Sequence, residues 1–270
     1  MRSGATEIAE AFEAHPKLTC DAGAVLFGDA VTITADGPWQ HMLHQLTGRK
    51  WGNLDVENET GCGIVPYVYR DRHIVNAVQW AVGLELLLLI KDPWRIFLTT
   101  DHPNGGCFWR YPEIIQLLMN SEFRKEQIRK LPEAAQSRIV LGDLDREYTL
   151  SEIAIVTSAG PARALGLAQK GHLGAGADAD VTIYPENPHE EMLFSYPRYV
   201  LKGGEIVVEE GEVRAPIEGR EFVVRPTYDA TIEEYLRPLF QKVYTMSFEN
   251  YPVEMERLKH ADVRTLEGHA

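Results

Sequence analysis

Asp101 and His102 close a short apolar run in "RIFLTTDHPNGG" (95–106), where the chain then breaks on Pro103, Asn104 and two glycines. A strand that buries itself and then delivers a carboxylate to a turn matches a recurrent catalytic layout. In barrels of parallel strands the reactive side chains stand at the carboxyl ends of the strands. A carboxylate there can ligate a divalent metal and can take a proton from a metal-bound water. The same aspartate would also serve as the cap of a "DHPNG" turn, a role Asp and Asn often fill. Spacing alone leaves both readings open. Asn104, Arg110 and Tyr111 lie just past the strand end, where substrate contacts form, and each equally suits a turn or a helix start. His102, next to Asp101, is expected to pack rather than ligate, because neighbours on a strand point to opposite faces. Arg70 and Arg72 could meet an anionic ligand, although an exposed helix-start ion pair explains them as well.

The elements that must carry these residues alternate. "SGATEIAEAFEAHPK" (3–17) spaces its apolar residues helically behind a capping serine, and "LTCDAGAVLFGD" (18–29) reads as a strand and its exit. A long Gly- and aromatic-rich stretch from Asp29 to Arg70 holds at most a short strand around Val31 and Ile33. Residues 71–91 turn helical, with Ile74, Val78, Val82 and Leu86 on one stripe. "RIFLTT" is a strand, and "YPEIIQLLMN" is a helix with Pro112 in its first turn. Residues 149–168 form a further helix, broken near Pro161. That order argues for parallel strands, at about 18–26 and 95–100, joined through crossover helices.

After residue 168 the pattern changes. "GADADVTIYPE" is a strand, and "RYVLKGGEIVVEEGEVR" is two more around Gly203–Gly204, a hairpin signal. Residues 169–226 form a β-rich module, followed by a helix over "TIEEYLRPLFQKVY" and a loosely ordered tail within 227–270.

Composition narrows the function classes. The 27 Lys and Arg against 40 Asp and Glu give a net charge of −13, which repels phosphate backbones and anionic membranes, so neither nucleic acid nor a membrane is an expected partner. Cys20, Cys62 and Cys107 are odd in number and widely spaced, so reduced thiols in a cytoplasmic protein are expected rather than disulfides, with Cys62 and Cys107 buried. No signal peptide is recognisable after Met1, and "AVGLELLLLI" (81–90) is about half the length of a membrane span.

"TLSEIAIVTSAGPARALGLAQKGHLGAGADADVTIY" (149–184) resembles the C-terminal passage of the amidohydrolase superfamily, in which the chain leaves the barrel for a β-sandwich. "ETGCGIVPYVYR" (59–70), "NAVQWAVGLELLLLIKDPWR" (76–95) and "TTDHPNGGCFWRYPEII" (99–115) are similar, more narrowly, to the A subunits of formylmethanofuran dehydrogenases and formyltransferase/hydrolase complexes. The likeness runs from about residue 18 to about residue 250.

It implies an α/β fold: the last two strands of a TIM barrel and their helices over 1–168, a β-sandwich portion over 169–226, and a helical extension over 227–270. It implies a binuclear zinc site and a methanofuran-type carrier as substrate, with formyl-methanofuran interconverted with formate and the free amine. Asp101 then becomes the catalytic and metal-binding aspartate that ends the eighth barrel strand. The other subunits of such a complex are the implied partners. The chain contains no His-x-His, and only two barrel strands can be counted, so the resemblance implies the C-terminal half of a longer subunit. A further partner is then the missing N-terminal half of the barrel, without which the chain is expected to be inactive. Another cyclic-amide hydrolase or deaminase, or a non-catalytic assembly subunit, are the alternatives; the long 29–70 stretch speaks against the first.

Overall fold

A computed structural model describes residues 2–33, 64–186, 193–215, 222–225, 229–243, 248–250 and 264–267. His41, His44, Cys62 and most of the 29–70 stretch lie outside them. The chain divides into two compact units, Met1–Val31 with Pro66–Glu218 and Thr32–Val65 with Gly219–Ala270. The position between 168 and 169 falls inside the first.

The first unit is built on the expected parallel pair. Strands β1 (Cys20–Asp21) and β4 (Ile96–Phe97) run parallel with Cys20 opposite Ile96 and Asp21 opposite Phe97. The ladder continues beyond the regular strands, as Ala22 N–H donates to Phe97 O at 2.8 Å and Ala24 N–H to Thr99 O at 2.7 Å. Strands β2 (Gly28–Ile33) and β3 (Ile64–Tyr69) pair with each other, and no alternation in the sequence had pointed to β3.

Helix α1 (Ala5–Ala14) is capped by Gly4, not Ser3. The Ser3 hydroxyl accepts from Ala5 N–H at 3.2 Å and donates to the Glu85 carboxylate. Helix α2 (Ile74–Leu89) departs from the single stripe expected of it. Ile74 is exposed, whereas Trp80, Leu84 and Leu87 on other faces are buried, because α1, the helix at 111–119 and the parallel pair surround α2. The approach to the strand is close: a Cβ on Gly83 would stand 2.9 Å from Ala24 Cα. Buried Glu85 accepts from the N–H groups of Val140 and Leu141 at 2.6 and 2.9 Å, so its side-chain oxygens are partnered inside the core.

Helix α3 (Tyr111–Met119) opens with Pro112 as expected, and α4 (Ser121–Arg129) follows directly. Arg124 of α4 is fully buried, donating to the carbonyls of Leu117, Leu144 and Arg146 at 2.6, 2.7 and 2.9 Å. Arg146 donates to the Leu88 and Ile90 carbonyls at 3.1 and 2.9 Å, so a remote cation covers the carboxyl end of α2, which has no basic residue in its own last turn. The helix of 149–168 does not break at Pro161. It passes from Leu150–Ala154 through a π turn at Ile155–Ala159 into Gly160–Ala164, with Pro161 tolerated in the first turn of that last segment.

Tyr148 is buried, and its hydroxyl donates to the Leu87 carbonyl. Burial pushes its phenol up to about 12, with Glu152 adding to the rise and Arg146 opposing it. A raised folded-state pKa contributes stability that is complete below the unfolded value near 10 and disappears as pH climbs toward 12, a swing of about 2–3 kcal/mol. Wild type should therefore lose stability between pH 10 and 12 faster than Tyr148→Phe in urea titrations; parallel curves would show that the phenol does not couple to folding.

The β-rich region holds a four-stranded sheet in the order β5 (Val181–Ile183), β6 (Tyr199–Lys202), β7 (Glu205–Glu209) and β8 (Glu212–Val213), each neighbour antiparallel. The hairpin lies where expected, with φ of +59° and +87° at Gly203 and Gly204, values an L side chain rarely adopts. Asp180 ties this sheet to the loop that follows Gly160–Ala164, since its carboxylate accepts from Lys170 at 2.5 Å and Lys202 at 2.6 Å. Burial alone would raise its pKa, but these bonds and the Gly203 N–H hold the carboxyl far below the ordinary range.

In the second unit β9 (Phe222–Arg225) and β10 (Arg264–Glu267) form a parallel pair, so the tail contains a regular strand that composition did not reveal. The helix expected over "TIEEYLRPLFQKVY" is observed as α5 (Ile232–Val243), where Arg237 binds Glu233 at 3.0 Å and Glu249 at 2.6 Å. No helix among the described residues is long and apolar enough to cross a membrane.

Candidate functional site

Beyond Phe97 the chain stays extended through Thr100 and then reverses at Asp101, which adopts φ +47°. A non-glycine residue in this left-handed region carries about 1–2 kcal/mol of strain, which Asp and Asn tolerate best. The turn is held by its own bonds: Asn104 N–H donates to Asp101 O at 2.6 Å and Gly105 N–H to Thr100 O at 2.9 Å. The Asn104 side-chain amide donates to Asp101 Oδ2 at 2.8 Å, which fixes the carboxylate orientation. Gly105 is required, because a Cβ there would stand 2.7 Å from the Thr100 carbonyl and 2.8 Å from that of Ala24.

His102 packs, as expected. Its Nδ1 accepts from Phe108 N–H at 3.3 Å, and its ring meets those of Phe108 and Trp109 edge-on at 4.9 and 6.1 Å. With Nδ1 an acceptor, the neutral imidazole carries its proton on Nε2.

A cavity of about 580 Å³ opens at the ends of the parallel pair and is lined by Asp21, Tyr69, Thr99, Asp101 and Asn104 with Gly23, Val25 and Gly105. Of the residues singled out in the sequence, Asp101 and Asn104 meet here. Arg110 and Tyr111 do not line it. The Arg110 guanidinium donates to the Phe27 carbonyl at 2.6 Å and pairs with Glu113 at 2.7 Å. Tyr111 faces a second cavity of about 950 Å³, shared with Trp94, Phe108, Trp109 and Leu173. Arg70 and Arg72 are exposed. Cys20 and Cys107 are half-buried free thiols, so Cys107 is less buried than expected.

Sequence reasoning missed three lining residues with polar side chains. Asp21 ends β1 as Asp101 ends the neighbouring strand, and the parallel spellings "LTCD" (18–21) and "LTTD" (98–101) were the available signal. Thr99 joins the strand ends: its hydroxyl donates to Asp21 Oδ1 at 2.9 Å and accepts from Gly23 N–H at 3.2 Å. Tyr69 ends β3, and nothing local marked it. Burial, then the Tyr67 phenol and the Asp101 carboxylate, push the Tyr69 phenol above its ordinary range, so it remains neutral and able to donate.

The cavity offers two carboxylates, one neutral phenol, one hydroxyl and one amide. Among the described residues no group of three or more His, Cys, Asp and Glu side chains is gathered to hold a metal ion. A catalytic zinc takes three protein ligands, and a pair of zinc ions takes more. The described residues therefore do not by themselves fit a binuclear zinc centre.

A model of the Amidohydrolase family matches residues 1–208. The chain belongs to the amidohydrolase family. This amidohydrolase chain is 44% identical over 268 residues to Protein FwdA of Methanocaldococcus jannaschii, covering 95% of the chain and 47% of that protein. It is 42% identical over 258 residues to the A subunit of the formyltransferase/hydrolase complex Fhc of Methylorubrum extorquens, covering 94% of the chain and 46% of that relative. One chain of the crystal structure of the formyltransferase/hydrolase complex from Methylorubrum extorquens with methylofuran superposes on it with a TM-score of 0.77 at 40% identity, over 100% of this chain and 50% of that one. This amidohydrolase chain thus spans about half the length of the curated relatives it matches, which agrees with the C-terminal half implied by its motifs.

Proposed function

We propose that this chain forms the C-terminal half of an A subunit that interconverts a formyl amide, carried on the amine of a methanofuran-type compound, with formate and the free amine. Residues 1–168 would contribute the closing strands of the barrel, 169–226 part of the β-sandwich and 227–270 a C-terminal extension. The observation that carries the reading is Asp101, oriented by Asn104 at the open end of two parallel strands and facing a cavity large enough for the end of such a carrier. Asp101 takes the proton of the attacking water and returns it to the departing amine nitrogen, which leaves as an amine because it has been protonated. In the reverse direction it removes a proton from the incoming ammonium. Asn104 keeps one carboxylate oxygen engaged so that the other faces the cavity. Arg110 and Tyr111, if they touch the carrier, do so away from the reacting carbon, since neither lines the Asp101 cavity.

The zinc ions of the proposed complete site need ligands beyond the described residues, and Asp101 is the one side chain of this chain assigned to them. The other half of the barrel and the other subunits of a cytoplasmic complex are the proposed partners. The ligand count makes a direct prediction. The purified 270-residue chain should retain well under one equivalent of zinc after gel filtration, whereas its assembly with the rest of the complete protein should retain two and gain formyl-amide turnover. Two tightly held equivalents on the chain alone, read by atomic emission, would overturn this assignment.

A further inference from the structure

A formyl amide brings one strong acceptor, its formyl oxygen, and attack at carbon builds negative charge on that atom. The side-chain donors of the Asp101 cavity can be taken in turn. Asn104 gives an amide N–H to Asp101 Oδ2 at 2.8 Å, which holds that group at the carboxylate end of the cavity. The Thr99 hydroxyl proton is committed to Asp21 at 2.9 Å. The carboxylates of Asp21 and Asp101 accept rather than donate. Tyr69 brings a neutral hydroxyl to the same lining: its ring lies edge-on to Tyr67 at 4.7 Å, and its hydroxyl makes no hydrogen bond to any described residue. Tyr67 differs in this respect, because its hydroxyl accepts from the Asn76 amide at 2.9 Å and is thereby tied into the fold.

We propose that the Tyr69 phenol is the side chain that donates a hydrogen bond to the formyl oxygen of the substrate, opposite the Asp101 carboxylate that handles the proton. The inference rests on the reading of this cavity as a formyl-amide site, and it deepens that reading by assigning the acceptor end of the substrate to one residue. It also accounts for two tyrosines two positions apart on β3 having different tasks, one structural and one facing the ligand. A donor whose bond strengthens as charge develops acts on kcat more than on KM.

The test uses the chain assembled with the rest of its complex, with a formyl amide of the carrier as substrate. Tyr69→Phe should lower kcat about 100-fold and change KM by less than about threefold, with Asp101→Asn as the reference for a lost proton carrier. Wild-type kcat in Tyr69→Phe, while Asp101→Asn is inactive, overturns the inference and leaves the reading of the site standing. A wild-type assembly that does not turn over formyl amides removes both. Should Tyr69→Phe fail to assemble, O-methyltyrosine at the same position keeps the ring and the oxygen and removes only the donated proton. Its kcat should fall as well, and a wild-type kcat in that variant overturns the assignment.

Discussion

Asp101→Asn should reduce formyl-amide turnover in the assembled complex at least about 1,000-fold while leaving the unfolding midpoint within experimental error. The carboxamide matches the carboxylate in shape and can keep a hydrogen bond to Asn104, so the turn survives. It cannot accept a proton, and a positioned general base and acid contributes about 100- to 10,000-fold to such a step. Asparagine is the informative choice because position 101 has φ +47°, where Asn is well tolerated and Ala adds strain. Activity near wild type in Asp101→Asn would favour the alternative in which this chain serves assembly alone.

Gly105→Ala should unfold the site from beneath. The added methyl would lie 2.7 Å from the Thr100 carbonyl and 2.8 Å from that of Ala24, and both oxygens belong to backbone of the two strand ends. Neither can swing aside as a flexible side chain would, so the strand ends must part or the Asp101 turn must move. Overpacking of this kind costs about 1–3 kcal/mol, and more where the backbone itself is displaced. Loss of about 3 kcal/mol in denaturant titrations is expected, together with loss of activity, since the Gly105 N–H also holds the turn to Thr100 at 2.9 Å. Gly142, where a Cβ would meet nothing within 4 Å, provides the matched control. Equal stability of the two alanine variants would refute the close approach.

The elements legible in the sequence are those whose signal is local. Apolar runs ending in breakers at 18–26 and 95–100 mark the places of the parallel strands Cys20–Asp21 and Ile96–Phe97, Pro112 marks the start of α3, and Gly203–Gly204 mark the hairpin. Each is a statement about backbone freedom or side-chain period within a few residues, which is why it survives without the fold. Asp101 is legible for the same reason, standing between a buried run and a turn; the role proposed for it comes from the family motifs, not from spacing.

What only the tertiary structure decided is which distant groups share a space. Asp21, Tyr69 and Thr99 come from three strands, and no local pattern relates their positions to Asp101. The depth of α2 is hidden from its sequence because a one-sided stripe assumes one neighbour, whereas elements on several sides bury Trp80 and Leu87 as well. Nothing local in the sequence marks Arg124 or Arg146, and only folding supplies the carbonyls of Leu117, Leu144, Leu88 and Ile90 to which they donate. Side-chain period reports which face of an element is apolar; the partners of a polar group depend on strand pairing and helix docking across tens of residues, and that is settled by packing rather than by neighbours in sequence.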